Sequence, residues 1–167
     1  MKRIVELIIL ILLIFLSSSS YAGDQEKAVL KSLEKIKGSL ETGATDKEFD
    51  SLFTDAKIEI NILKRSCNNE CFLTAVEKCY SLYKKAIEQK KTIRDAHHLS
   101  AGYKILSLKY KKTQLQYNTR QFEQQIREYE EKSRSIMRDK ARAEKELPGT
   151  IRNAKMQLDK AYECLSR

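Results

Sequence analysis

The sequence predicts an all-α protein: an antiparallel helical bundle whose long central helix, about 102–147, extends as a two-helix, coiled-coil-like arm, with disulfides as staples. Three observations carry this. Past Gly102 there is no glycine and no proline until Leu147, and Leu108, Leu115, Phe122, Tyr129, Ile136 and Ala143 recur every seven residues, a spacing that returns side chains to one helix face. The rest of that stretch is mostly Lys, Gln, Glu and Arg, all strong helix formers. Four cysteines stand in a chain whose start reads as an export signal, which favours disulfides over free thiols.

Residues 1–22 have the pattern of a signal peptide. Lys2 and Arg3 supply a positive start, Leu7 to Leu16 an unbroken apolar run, and Ser20-Tyr21-Ala22 the small residues a signal peptidase reads. The run is shorter than the roughly 20 residues a membrane-spanning helix needs. Cleavage is expected after Ala22, and an uncleaved N-terminal membrane anchor is the alternative. The remaining 23–167 is read as one helical domain, with a bundle over 24–122 and the arm over 123–167. The chain is formally +9, of which Lys2, Arg3 and Glu6 hold a net +1, leaving +8 on the mature part. Such a charge suits a solvated lysine-rich surface, or a weak attraction to anionic lipid or polysaccharide. Export makes nucleic acid an unexpected partner.

The first mature helix is expected from about Asp24 to Leu40, with Asp24 as cap and Val29, Leu33, Ile36 and Leu40 as its apolar stripe. Gly43 stops it. Thr45 and Glu48 form a capping box that opens the second helix. Phe49, Leu52, Phe53, Ala56, Ile60 and Leu63 line one face, and Ile58 and Ile62 widen it, which predicts a deeply seated helix. Ser66 to Asn69 favours a turn. A third helix follows from about Glu70 to Ala96, with Phe72, Val76, Cys79, Tyr83 and Ala86 on one face. His97 to Gly102 reads as the connection to the long helix. There Glu123–Arg127, Glu128–Lys132 and Glu130–Arg134 have the favourable i, i+4 orientation, each contributing a few tenths of a kcal/mol. Pro148-Gly149-Thr150 is expected to reverse the chain into a last helix, Ile151 to about Leu165.

The disulfide candidates are Cys67, Cys71, Cys79 and Cys164. Cys71 and Cys79 would lie about 12 Å apart along one helix, beyond the ~7 Å limit on Cα separation. Local reach favours Cys67–Cys71 with Cys79–Cys164, whereas the level reached by the returning last helix favours Cys67 or Cys71 as the partner of Cys164. Both readings tie Cys164 to the 67–79 cluster. A zinc site from Cys67, Cys71, Cys79 and His97 or His98 lacks a second closely spaced ligand pair, and an oxidising compartment works against free thiolates. No metal and no cofactor are expected.

No phosphate loop, nucleophile elbow or paired-histidine zinc motif occurs, so the chain is not expected to be an enzyme. Two stretches are candidates for contact instead. Phe122, Ile126, Tyr129 and Ile136 form a thin seam suited to a protein partner or to a second copy. Tyr103, Lys104, Lys109, Tyr110, Lys111, Lys112, Tyr117 and Arg120 form a stripe suited to a polyanion. The function these features suggest is an exported, periplasmic or secreted protein that acts by protein–protein contact in a structural, adaptor or accessory role in the cell envelope. A periplasmic holdase-type chaperone and a membrane-anchored, envelope-spanning protein are the alternatives.

Overall fold

The computed structural model describes residues 23–117 and 120–166, and the side chains of 116–121 are not among those described. Every regular element in it is a helix, as expected. Helix α1 covers 23–42, α2 Asp46–Ser66, α3 Glu70–Tyr117 and α4 Arg120–Leu165. The expected signal segment, Lys2 to Ala22, lies outside the described residues.

The helix ends differ from expectation at two places. The stretch His97 to Gly102 does not break α3. The helix runs through it because Ala96 and Ser100 are buried on its packed face while His97, His98 and Gly102 stand exposed. Pro148 and Gly149 do not end α4 either; both are exposed and helical. Proline in a helix interior costs about 3 kcal/mol and strips the carbonyl four residues earlier of its partner. Packing on the other side of α4 outweighs this, with Ala143, Thr150 and Ala154 all buried there. Thr150 caps nothing; its hydroxyl donates back to the Glu146 carbonyl at 3.2 Å. There are thus two long helices where three shorter ones were expected, and the long one does not run over 102–147. The paired arm is not 123–147 against 151–165 but 85–117 against 120–151.

The chain folds as two units, each with its own packing. The first comprises α1, α2, the start of α3 to Lys84, and the end of α4 from Arg152. Its core is apolar apart from the Tyr83 hydroxyl: Val29, Leu33 and Ile36 of α1, Ala56 and Leu63 of α2, Phe72, Val76 and Tyr83 of α3, and Ala154, Leu158 and Ala161 of α4. The capping box forms, with the Thr45 N–H donating to Glu48 at 2.7 Å and the Glu48 N–H to Thr45 Oγ1 at 3.4 Å. Gly43 supplies the reversal between α1 and α2 at φ +85°, open to glycine at little cost. Asn69 caps α3 by accepting the Phe72 N–H at 3.0 Å, and its side-chain amide donates to the Cys164 carbonyl at 2.9 Å. Ile58 and Ile62, expected to deepen the seat of α2, point away from this core and are exposed.

Cys71 and Cys164 form the disulfide, with Cα atoms 5.9 Å apart, while Cys67 and Cys79 are free. The C-terminus is therefore tied to the 67–79 cluster, but neither Cys67–Cys71 nor Cys79–Cys164 forms. The link spans 93 residues. Replacing both cysteines by serine should lower the unfolding free energy by about 4 kcal/mol, read as a shift of the denaturant midpoint.

Cys79 is buried, and burial pushes its thiol up to about 12, with the Asp159 carboxylate adding to the rise. Burial raises the Tyr83 hydroxyl as well. In the unfolded chain these groups ionise near their ordinary values of 9.0 and 10.0, so the stability they contribute is complete below about pH 9 and is lost as the pH climbs toward 12. The unfolding free energy should fall across that window. Denaturant titrations at stepped pH should show a shallower fall for Cys79→Ala than for the parent chain.

Candidate interaction surface

The second unit is the antiparallel pair of 85–117 and 120–151. Its pairings run in opposite directions along the two helices. Gln114 donates to Glu123 at 3.1 Å, Ser107 and Lys111 to Glu130 at 3.2 and 2.5 Å, and Gln89 to Glu146 at 3.1 Å. On α3 the packed face is Ala96, Ser100, Tyr103, Ser107, Tyr110 and Gln114, and on α4 it begins Phe122, Ile126, Tyr129, Ser133, Ile136, Lys140, Ala143, Leu147; each is buried or half-buried. Both series step alternately by four and three residues, the spacing of a coiled-coil seam.

The first expected contact stretch is drawn into this seam, and the second only in part. The Phe122 ring lies 5.7 Å from that of Tyr110, and Tyr129 lies 5.5 Å from Tyr110 and 6.0 Å from Tyr103. Ile126 is buried and Ile136 half-buried. The intended partner seam of Phe122, Ile126, Tyr129 and Ile136 is thus occupied by α3 of the same chain. The tyrosine–lysine stripe is divided. Tyr103 and Tyr110 turn toward α4, Lys111 pairs with Glu130 across the seam, and Lys104, Lys109 and Lys112 face solvent. The side chains of Tyr117 and Arg120 lie outside those described. Lys132, on α4, sits 5.8 Å over the Tyr103 ring and 5.9 Å over that of Tyr129.

Charge follows the same geometry. Glu123–Arg127 and Glu128–Lys132 form at 3.4 and 2.5 Å, but Glu130 turns to Lys111 and Arg134 to Glu131 at 3.1 Å. Lys111 holds the Glu130 carboxyl below the usual carboxylate range, and the hydrogen bond donated by the Ser107 hydroxyl lowers it further. At the centre of the seam Ser100 and Ser133, both buried, share a hydrogen bond of 2.8 Å.

Leu108 and Leu115 began the seven-residue line that led to Phe122 in the sequence, yet they lie on a different helix from it and face outward. They are 64% and 89% exposed, and Ile105 is 66% exposed. Leu99, half-exposed, and Leu106 are exposed as well, but about 160–180° round α3 from Leu108 and Leu115. Leu99, Gly102, Tyr103 and Leu106, at i, i+3, i+4 and i+7, surround a shallow apolar depression also lined by His98 and Ile105. Four residues so placed are the corners of a hole that a side chain of another helix can enter, and a Cβ at Gly102 would meet nothing within 4 Å. Leu108 lines a different depression, with Lys104, Ser107 and Lys111 of α3 and Glu130, Ser133 and Arg134 of α4. The outer side of α3 was missed in the sequence because the heptad line was followed across the α3–α4 connection as if it were one helix.

No group of three or more His, Cys, Asp or Glu side chains is placed to hold a metal ion among the described residues, and Cys71 is committed to its disulfide. No family model matches the chain, and comparison with curated proteins and with solved structures returns no similar protein.

The serine pair permits a test of the seam. Ser133→Ala strands the buried Ser100 hydroxyl and should cost about 1–3 kcal/mol, whereas Ser100→Ala with Ser133→Ala removes both partners and should recover most of that loss. Thermal or denaturant unfolding of the single and double variants measures it.

Proposed function

We propose that the chain is an exported, non-enzymatic protein that acts by protein–protein contact, in a structural or adaptor role in the cell envelope. The uncovered side of α3 carries the reading. Ile105, Leu108 and Leu115 stand exposed opposite a seam already filled by α4, and a helix apolar on opposite sides is normally packed on both. Export rests on Lys2, Arg3, the Leu7 to Leu16 run and Ala22. No described helix is long and apolar enough to cross a membrane, so a membrane-anchored form would be held through residues 1–22.

A periplasmic holdase is the second reading, favoured by the interleaving of exposed Ile and Leu with Lys104, Lys109 and Lys112 on one helix. Suppression of aggregation of an unfolded client at equimolar ratio separates it from a dedicated contact protein.

The test combines three measurements. N-terminal sequencing of the exported product should begin at Gly23. The oxidised chain, immobilised and exposed to envelope extract, should retain a partner that Leu108→Asp with Leu115→Asp releases about tenfold or more. Leu108 and Leu115 are mostly exposed, so the same substitutions should shift the thermal midpoint little. Retention that is equal for parent and variant overturns the assignment to this surface.

A further inference from the structure

Helix α3 carries a second seam. Ala101, Ile105, Leu108, Lys112 and Leu115 step alternately by four and three residues, and all are exposed. They lie about 140° round the helix from the seam that meets α4. The four–three step is the spacing by which one helix lays its side chains into the holes of another. The inner seam has its partner in α4, while the outer one is left to solvent.

In a paired seam the residues beside the apolar line choose the partner by charge. On the outer seam those flanking positions hold Lys104 and Lys111 on the side toward α4, and Gly102 and Lys109 on the other; Lys112 stands in the line itself. Helix α3 has no Asp or Glu from Ala96 to its end at Tyr117. Of its lysines in that stretch only Lys111 forms an ion pair among the described residues, with Glu130. Toward α4 the edge drops into the depression lined by Lys104, Lys111 and Arg134. Glu130 in it is already held by Lys111 and the Ser107 hydroxyl, and Arg134 shares Glu131 with Arg138. The carboxylates on that edge are therefore fewer than the cations around them.

Two copies cannot pair this seam with itself, because lysine would face lysine along both edges. A helix laid on it must present apolar residues at the same four–three spacing and acids along both edges, with a further acid opposite Lys112.

We propose that the outer seam of α3 pairs with an acidic amphipathic helix of a different protein. Its apolar line covers Ile105, Leu108 and Leu115, and its carboxylates meet Lys104 on one edge and Lys109 on the other. The proposal deepens the protein-contact reading and rests on it. The seam is two heptads long, about 21 Å, so the edge charges decide whether the pair forms, and the contact is salt-sensitive.

The test uses the oxidised chain from Gly23 onward, which contains every described helix, and two synthetic peptides with one apolar seam. One peptide has Glu at every flanking position and the other has Lys; like charges keep each from pairing with itself. Fluorescence anisotropy should show the Glu peptide bound at least about tenfold more tightly than the Lys peptide, a difference that shrinks at high salt. Lys104→Glu with Lys109→Glu should invert that order, with unchanged helicity showing that the chain is folded. Lys31→Glu with Lys35→Glu, at exposed positions of α1, makes the same change in net charge and should leave the order as in the parent. Equal binding of the two peptides overturns the proposal, as does an inversion that the α1 variant shows as well. Phosphatidylglycerol vesicles that bind the parent and are not displaced by the Glu peptide would overturn it in favour of a lipid surface. A mass that rises with concentration in the parent, but not in Lys104→Glu with Lys109→Glu, would overturn it in favour of a second copy. Retention of an envelope partner that requires Leu108 and Leu115, yet is unchanged by Lys104→Glu with Lys109→Glu, would leave the broader contact reading standing and remove only the acidic helix.

Discussion

The four–three alternation of small and apolar residues along one face of α4 is the constraint on which the rest depends. It runs Phe122, Ile126, Tyr129, Ser133, Ile136, Lys140, Ala143, Leu147, Thr150, Ala154, Gln157, Ala161, Cys164, and every member is buried or half-buried. A side-chain face kept in register over so many turns holds the helix together across Pro148 and Gly149, where local propensity alone would end it. Within the first unit the Cys71–Cys164 tie restricts the unfolded chain over 93 residues.

Much of the first unit was legible because its signals are local. Thr45 with Glu48 specifies a capping box whatever follows, and Asn69 starts α3 by accepting the N–H of Phe72 three residues on. The stripe of Val29, Leu33, Ile36 and Leu40 is read at helical spacing and is buried throughout. What failed was inference from punctuation. Gly102 and Pro148 are breakers by propensity, worth about 1 and 3 kcal/mol, and both were overridden by packing on the opposite face.

The seven-residue line from Leu108 to Ala143 shows why a correct periodicity can give a wrong pairing. A heptad count does not register that the chain has reversed between Leu115 and Phe122. On α3 the seam belongs to Tyr103 and Tyr110, which the sequence marks as a second stripe, and the leucines belong to the outside. The candidate surface was therefore present in the sequence as half of a pattern assigned to the core. Ile58 and Ile62 were misassigned in the same way. They are apolar residues added to the buried face of α2 by composition, when their angular position puts them beyond it.

The interior of the α3–α4 pair explains why such a surface would matter to this fold. Its buried positions include Ser100, Ser107 and Ser133, and Lys140 takes a core position with its side chain largely covered. Polar residues at seam positions restrict register and pairing more than they stabilise. Where Ala96, Ser100, Ser107, Ser133 and Ala143 stand, the seam buries little area, and at roughly 25 cal/mol per Å² those positions yield less than leucine would. Meanwhile Ile105, Leu108 and Leu115 are left on the outside. The sequence has divided two tasks between two sides of one helix: the inner side specifies which helix α3 meets, and the outer side holds most of the apolar area still available for association.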